Sequence, residues 1–264
     1  YIPRAPRTPY SLVDSLLSSL NISKPVDQAR ELVRSERESS ALAIKTLTGD
    51  QQTKVNKIWR ALNQQMIVSS AFQIDITVRD MQTLCDGQWL NDNVIDFYLN
   101  LISLKLNVFC WTTHFFLTLE LKGYQGVARW AKRRKLKLLE QRKILTPINI
   151  MGTHWALAVI NSDKKAFEYY DSLLSNGNKR ALKILQNYMI EEGKKQGSQE
   201  DYSQYKIVPL MDTPQQLNGY DCGVFTCTLA FFVSRDQPLQ FGQPDMKTLR
   251  RKMAYEILSK ELLA

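Results

Sequence analysis

The run Val224-Phe225-Thr226-Cys227-Thr228-Leu229-Ala230-Phe231-Phe232-Val233 carries no charge and is apolar on nearly every side. A helix of that composition offers water no face, so other elements must enclose it. It is too short to cross a bilayer, which takes roughly 18 apolar residues, and no other run in the 264 residues approaches that length. The chain must therefore wrap a central helix, and its length suffices for one sizeable core, or one domain plus a modest extension.

The approach to this helix is Pro214-Gln215-Gln216-Leu217-Asn218-Gly219-Tyr220-Asp221-Cys222-Gly223. Asp221 or Asn218 suits the cap, and the two glycines permit a tight approach. Cys222 then falls in the first turn, where unpaired N–H groups and the helix dipole favour a thiolate. A small buried Cys at a helix start is also common without any chemistry. Cys227 is that ordinary case, deep in the apolar run where desolvation disfavours the thiolate, and Cys85 and Cys110 have no activating context. Gln216, six residues before Cys222, brings a side-chain N–H suited to an oxyanion.

A base for such a thiol is offered by a second segment. His154 to Ile160 and Lys165 to Asp171 read as two strands around the polar loop Asn161-Ser162-Asp163-Lys164. If Ile160 pairs with Lys165, then Val159 meets Ala166, Ala158 meets Phe167 and His154 meets Asp171. Opposed residues share a face with Cβ atoms roughly 4.5–5.5 Å apart, close enough for an imidazole–carboxylate bond. A chance edge pair fits the same pattern, and a one-residue slip would separate the two. Together, His154, Asp171 and Cys222 make a base, an orienter and a nucleophile.

Elsewhere Ile74, Ile76 and Val78 alternate as in a strand, and Asn91 or Asp92 caps a helix over Val94 to Ile102. Strands are expected at 144–150, with Pro147 at an edge or bend, and at 205–210. Helices are expected at 179–192, 222–234 and 245–263. Strands clustered centrally between helices indicate an α+β domain over residues 71–264. Residues 1–70 read as an extension, extended through Pro3, Pro6 and Pro9 and then helical. Leu12, Val13, Leu16, Leu17 and Leu20 repeat at helical spacing, as do Val55, Ile58, Trp59, Leu62 and Met66. The opening at Tyr1, without an initiator Met, reads as a fragment of a longer protein. Four cysteines without Cys-x-x-Cys spacing and two histidines argue against a disulfide framework or a structural zinc, and fit a reducing compartment. Between Lys122 and Lys143 nine Lys or Arg face one acid, so this window carries +8 of the net charge of +9. It is either a solvated face or a docking patch for an acidic partner, protein or nucleic acid.

Five blocks resemble the SUMO-specific (sentrin/ubiquitin-like) cysteine proteases. They are Trp89-Leu90-Asn91-Asp92, Gly123 to Val127 with Arg129-Trp130, His154-Trp155, Asp171-Ser172 and Pro214 to Gly223, and Leu249 to Met253 closes the likeness. The resemblance covers about residues 70 to 264. It implies a papain-like α+β fold with a central mixed sheet flanked by helices and the triad in the order His, Asp, Cys. His154 is then the general base, Asp171 its orienter, Cys222 the nucleophile and Gln216 the oxyanion donor. Substrate binding falls to Trp89 and Trp155, covering a Gly-Gly tail, and to Asp92, Arg129 and Lys132, facing the body of SUMO. The basic window thereby acquires an acidic protein partner ahead of nucleic acid. His114 departs from the run of aromatics expected in its block.

The implied activity is cleavage after the C-terminal Gly-Gly of SUMO, in the precursor and at isopeptide bonds to lysines. The implied partners are SUMO precursors and conjugates, with no cofactor, metal, obligatory nucleic acid or membrane span. A monomeric catalytic domain and nuclear residence are implied as well. Action on another ubiquitin-like tail such as NEDD8, acyl transfer through the same triad, and a basic nucleic-acid module are the alternatives.

Overall fold

The computed structural model describes residues 44–263, so the helical repeat at Leu12 to Leu20 lies outside the described residues. A compact unit begins at Lys45. Residues 45–70, expected from the sequence to belong to the extension, are therefore part of the same unit as the sheet. Helix α1, Gly49–Trp59, opens with a capping box between Thr48 and Gln51. It stops at Trp59 and leaves Leu62 and Met66 exposed, contrary to the spacing that would carry it on to Met66. The cause is local: the Asn63 side chain accepts from Gln65 N–H at 3.2 Å, an Asx turn that competes with the helical bond.

Strands β1 (Ile67–Ala71) and β2 (Ile74–Thr77) form an antiparallel hairpin, tied to the end of the chain by Ser69 Oγ donating to the Ile257 carbonyl at 2.7 Å. Helix α2, Val78–Gln82, follows directly under a Thr77–Asp80 capping box. Asp80 also accepts from Asn91 Nδ2 at 2.7 Å, and Asn91 caps α3, Asp92–Lys105, as its sequence predicts. Next come β3 (Phe109–Cys110), α4 (Thr113–Val127, kinked at Gly123) and the short α5 (Trp130–Arg133). Then follow β4 (Lys143–Ile150), β5 (His154–Asn161), β6 (Ala166–Tyr170), α6 (Lys179–Gln196), β7 (Lys206–Val208), α7 (Cys222–Ser234) and α8 (Met246–Ser259).

The order β3-β4-β5-β6-β7 makes a mixed sheet, antiparallel at its centre and parallel at both edge pairs. β3 pairs only with Ile144 and Leu145, so Pro147 falls past its end, where a missing N–H leaves no ladder bond unmade. On β5, Ala156, Ala158 and Ile160 join an apolar cluster under α4 and α6, stacked around Trp111 and Phe115. The alternate residues Leu157 and Val159 are equally buried, and α7 packs on β5 without contributing to that cluster. α7 therefore covers the opposite face, and every one of its residues is buried. This is the α+β arrangement, a mixed central sheet flanked by helices, that the sequence implies.

The hairpin register differs from the expected one by two residues. Ile160 faces Phe167, Ala158 faces Tyr169 and Asn161 faces Ala166. Lys165 has a positive φ of 48° and belongs to the turn, which closes through Lys165 N–H to the Ser162 carbonyl. A shift of two keeps every side chain on its face. It moves Asp171 from directly opposite His154 to the diagonal position, still within reach of a long side chain.

Candidate active site

His154 is the first residue of β5, and Asp171 follows β6 directly. His154 Nε2 lies 2.7 Å from Asp171 Oδ1, which also accepts from Leu173 N–H at 3.0 Å. Both side chains are largely shielded from water. Cys222 opens α7 within hydrogen-bonding reach of the His154 ring, and its sulfur faces the backbone N–H groups of Trp155 and Gly223. The two sheet residues and the helix start thus converge because α7 lies across β5.

The electrostatics follow from that convergence. Burial works against a charged imidazole, but the bonds to Asp171 and to Cys222 outweigh it and raise His154 to about 9. Burial likewise disfavours the Cys222 thiolate, yet the His154 ring and the Trp155 and Gly223 N–H groups pull the thiol below its ordinary value. Asp171, also opposed by burial, is held below the usual carboxylate range by His154 and Leu173. Burial pushes the other thiols the opposite way: Cys85 and Cys227 up, and Cys110 up to about 12. The arrangement favours a thiolate–imidazolium pair with a carboxylate behind it.

Gln216 is built into the same corner. Its backbone N–H donates to the Ser172 carbonyl at 2.7 Å, its Oε1 accepts from Ser172 Oγ at 2.7 Å, and its Nε2 donates to the Asn218 carbonyl at 2.6 Å. Asn218 Oδ1 in turn accepts from the N–H groups of Tyr220 and Asp221.

The turn before Cys222 is anchored by a residue that the sequence reading did not assign. Arg250 on α8 is 1% exposed and forks onto Asp221 Oδ1 at 2.9 and 2.7 Å. Its remaining N–H groups reach the carbonyls of Thr83, Cys85, Gln88 and Tyr220. The signal was present in the sequence: Met246, Leu249, Arg250, Met253, Glu256 and Ile257 form one helical stripe, and Arg250 is the cation on it. A second close approach joins the same segments. A Cβ on Gly223 would lie 2.9 Å from Leu90 Cβ, so only glycine lets the Trp89-Leu90 segment rest on the first turn of α7.

Among the proposed substrate contacts, Trp155 is buried and Trp89 is 51% exposed. Asp92 and Trp155 line one groove of 630 Å³, together with His114, Glu120, Met151 and Arg180. His114 thus borders the groove that Trp155 also lines. Arg129 and Lys132 are exposed on and beside α5, outside that groove, and form no ion pair with the described residues. No group of His, Cys, Asp and Glu among the described residues is arranged to hold a metal, and no described helix is long and apolar enough to cross a membrane.

Two outcomes follow from this geometry. Iodoacetamide should label Cys222 ahead of the other three cysteines. The labelling rate should rise at a pH below the ordinary thiol range, and the alkaline limb of any activity should fall near pH 9 as His154 loses its proton. Peptide mapping after brief labelling checks this, and His154→Ala should abolish the selectivity; uniform labelling would contradict the pair. Arg250→Met should cost about 3–5 kcal/mol in urea unfolding, because it strands the Asp221 carboxylate in the interior. A loss under about 1 kcal/mol, the worth of a surface pair, would contradict the clamp.

The comparisons with known proteins agree with one another. Residues 88–262 match the model of the Ulp1 protease family, C-terminal catalytic domain. The human sentrin-specific protease 2 is 39% identical over 240 residues, which takes in 86% of this chain and 40% of the relative. Ubiquitin-like-specific protease 1 of Saccharomyces cerevisiae is 40% identical over 193 residues, 72% of this chain and 30% of the relative. The chain thus spans two fifths or less of the length of these two relatives. The solved C-terminal Ulp1 protease domain, in complex with Smt3, the yeast ortholog of SUMO, superposes with a TM-score of 0.75 at 37% identity, covering 82% of this chain and 97% of that one. The family match takes in His154, Asp171 and Cys222 together with the clamp of Arg250 on Asp221, and the chain accordingly belongs to the Ulp1 protease family.

Proposed function

We propose that this chain is the catalytic part of a SUMO-specific thiol protease that cleaves after the C-terminal Gly-Gly, maturing the precursor and releasing SUMO from target lysines. The observation that carries the reading is the Cys222–His154–Asp171 constellation, with its lowered thiol and raised imidazole, in a chain similar to the sentrin-specific proteases. The Cys222 thiolate attacks the carbonyl carbon of the terminal glycine, and the oxygen takes up the electron pair. Gln216 Nε2, which has one N–H beyond the bond to Asn218, supports that oxyanion. His154 gives its proton to the leaving nitrogen as the C–N bond breaks, leaving a thioester. Water, deprotonated by His154, then attacks the thioester; the C–S bond breaks and the Cys222 thiolate leaves beside the reprotonated imidazole. Asp171 holds the ring and stabilises its charged form throughout.

Substrate selection is assigned to the two tryptophans around the tail, and to Asp92, Arg129 and Lys132 on the SUMO body. Arg129 and Lys132, exposed and forming no ion pair with the described residues, support an acidic protein partner. The same reading gives a monomeric enzyme with no cofactor and no nucleic-acid requirement, resident in the nucleus.

The class is tested by incubation with a SUMO precursor, with and without a thiol alkylator; mature product in both samples would overturn it. Cys222→Ala should abolish turnover and keep SUMO affinity, whereas Cys227→Ala should keep most activity. Asp171→Asn should lower kcat by about two to four orders of magnitude. Reversing Arg129 and Lys132 to Glu should raise KM and flatten its salt dependence with little change in kcat. An unaltered KM at low salt would free those residues from the SUMO contact. Replacing the terminal Gly-Gly by Ala-Ala should cut kcat/KM by at least about a hundredfold, and retained cleavage would return Trp89 and Trp155 to packing roles.

A further inference from the structure

A carboxamide has two ends of similar shape and opposite polarity, and only one of them can serve an oxyanion. Gln216 is buried, so its orientation has to be set by its neighbours. The Asn218 carbonyl can only accept, and it takes one N–H of Nε2 at 2.6 Å. The other end, Oε1, can only accept and meets Ser172 Oγ at 2.7 Å, so the serine hydroxyl must donate there. Ser172 is 1% exposed, so no bulk water stands ready to replace it. Its own carbonyl takes the Gln216 backbone N–H at 2.7 Å, a bond that any residue at this position would make. The hydroxyl therefore adds nothing to the path of the loop and acts on the amide alone.

We infer that Ser172 is a positioning residue that locks the Gln216 carboxamide with its N–H end turned toward the nucleophile's loop. The inference rests on the oxyanion reading of Gln216. Without the hydroxyl, Oε1 would be buried and unpaired, while a flipped amide would set Oε1 against the Asn218 carbonyl. Neither state holds the free N–H in place, so the amide would leave its pose. Ser172 directly follows Asp171, and Gln215 Nε2 donates to the Asp171 carbonyl at 3.0 Å. One dipeptide, Asp171-Ser172, thus orients both the general base and the oxyanion donor. A displacement of this segment would disturb proton transfer and charge stabilisation together.

The test is a double-mutant cycle, with wild type, Ser172→Ala, Gln216→Ala and the double variant, on a SUMO C-terminal aminomethylcoumarin reporter. Gln216→Ala should lower kcat by about a hundredfold or more. Ser172→Ala should lower kcat by about tenfold with KM unchanged, the worth of one buried partner. In the Gln216→Ala background the serine substitution should add less than about twofold, because no amide is left to orient. The Cys222 alkylation rate should stay within about twofold of wild type in Ser172→Ala, which shows that the thiolate pair and the fold are intact. Equal cost of Ser172→Ala in both backgrounds, no cost in either, or a parallel fall in alkylation would overturn the inference. Should Gln216→Ala itself run at the wild-type rate, the oxyanion reading fails first, and Ser172 has nothing to position.

Discussion

The guanidinium of Arg250 is the interaction on which the rest of the site depends. It lies in the interior, bonded to Asp221 and to four backbone carbonyls from two distant stretches of chain. One stretch, from Thr83 to Gln88, leads into Trp89; the other, Tyr220-Asp221, leads into Cys222. A planar fork with five donors satisfies such a set where an ammonium could not. Removing two charges from water is costly, and the cost is offset only because nearly every donor and acceptor has a partner. Asp221 Oδ2 is also used, accepting from Asn218 and Gln243. The result is a rigid turn that delivers Cys222 to the first position of α7.

That rigidity matters because the chemistry needs a thiolate in a buried place. Burial pushes Cys85, Cys110 and Cys227 away from ionisation, helped at Cys85 by the Asp86 carboxylate and at Cys227 by Asp96. Cys222 is buried too, and differs in what faces it: an imidazole tied to a carboxylate, the Trp155 N–H of β5 and the Gly223 N–H at the start of α7. The same low-dielectric surroundings that penalise a lone charge strengthen a well-placed pair. Placement is therefore everything, and it comes from α7 lying across β5 and from the loop stitched by Ser172, Gln216 and Asn218.

Much of this was legible in the sequence, and the gaps have a physical pattern. The uncharged run at 224–233 announced a buried helix, the Asp221-Cys222-Gly223 turn marked its start, and the two strands around Ser162 placed His154 and Asp171 on one face. These signals are local. The register escaped because a polar loop leaves open which residue turns first, and Lys165 took the left-handed conformation usually left to glycine or asparagine. The end of α1 escaped because an Asx turn at Asn63 overrode a helical spacing that reaches to Met66. Arg250 and Ser172 escaped because their partners are far away in sequence, 29 residues to Asp221 and 44 to Gln216. A charge on an apolar stripe flags a buried ion but names no partner.

The proposed chemistry depends on a charge-separated Cys222–His154 pair that forms before any substrate arrives. Its most direct measurement is the titration of the His154 imidazole by NMR, in the wild type and in Cys222→Ser. The wild-type ring should stay protonated through neutral pH and titrate near 9, and should move clearly downward when the thiol is removed. A ring that titrates near the ordinary histidine value in both proteins would contradict the pair.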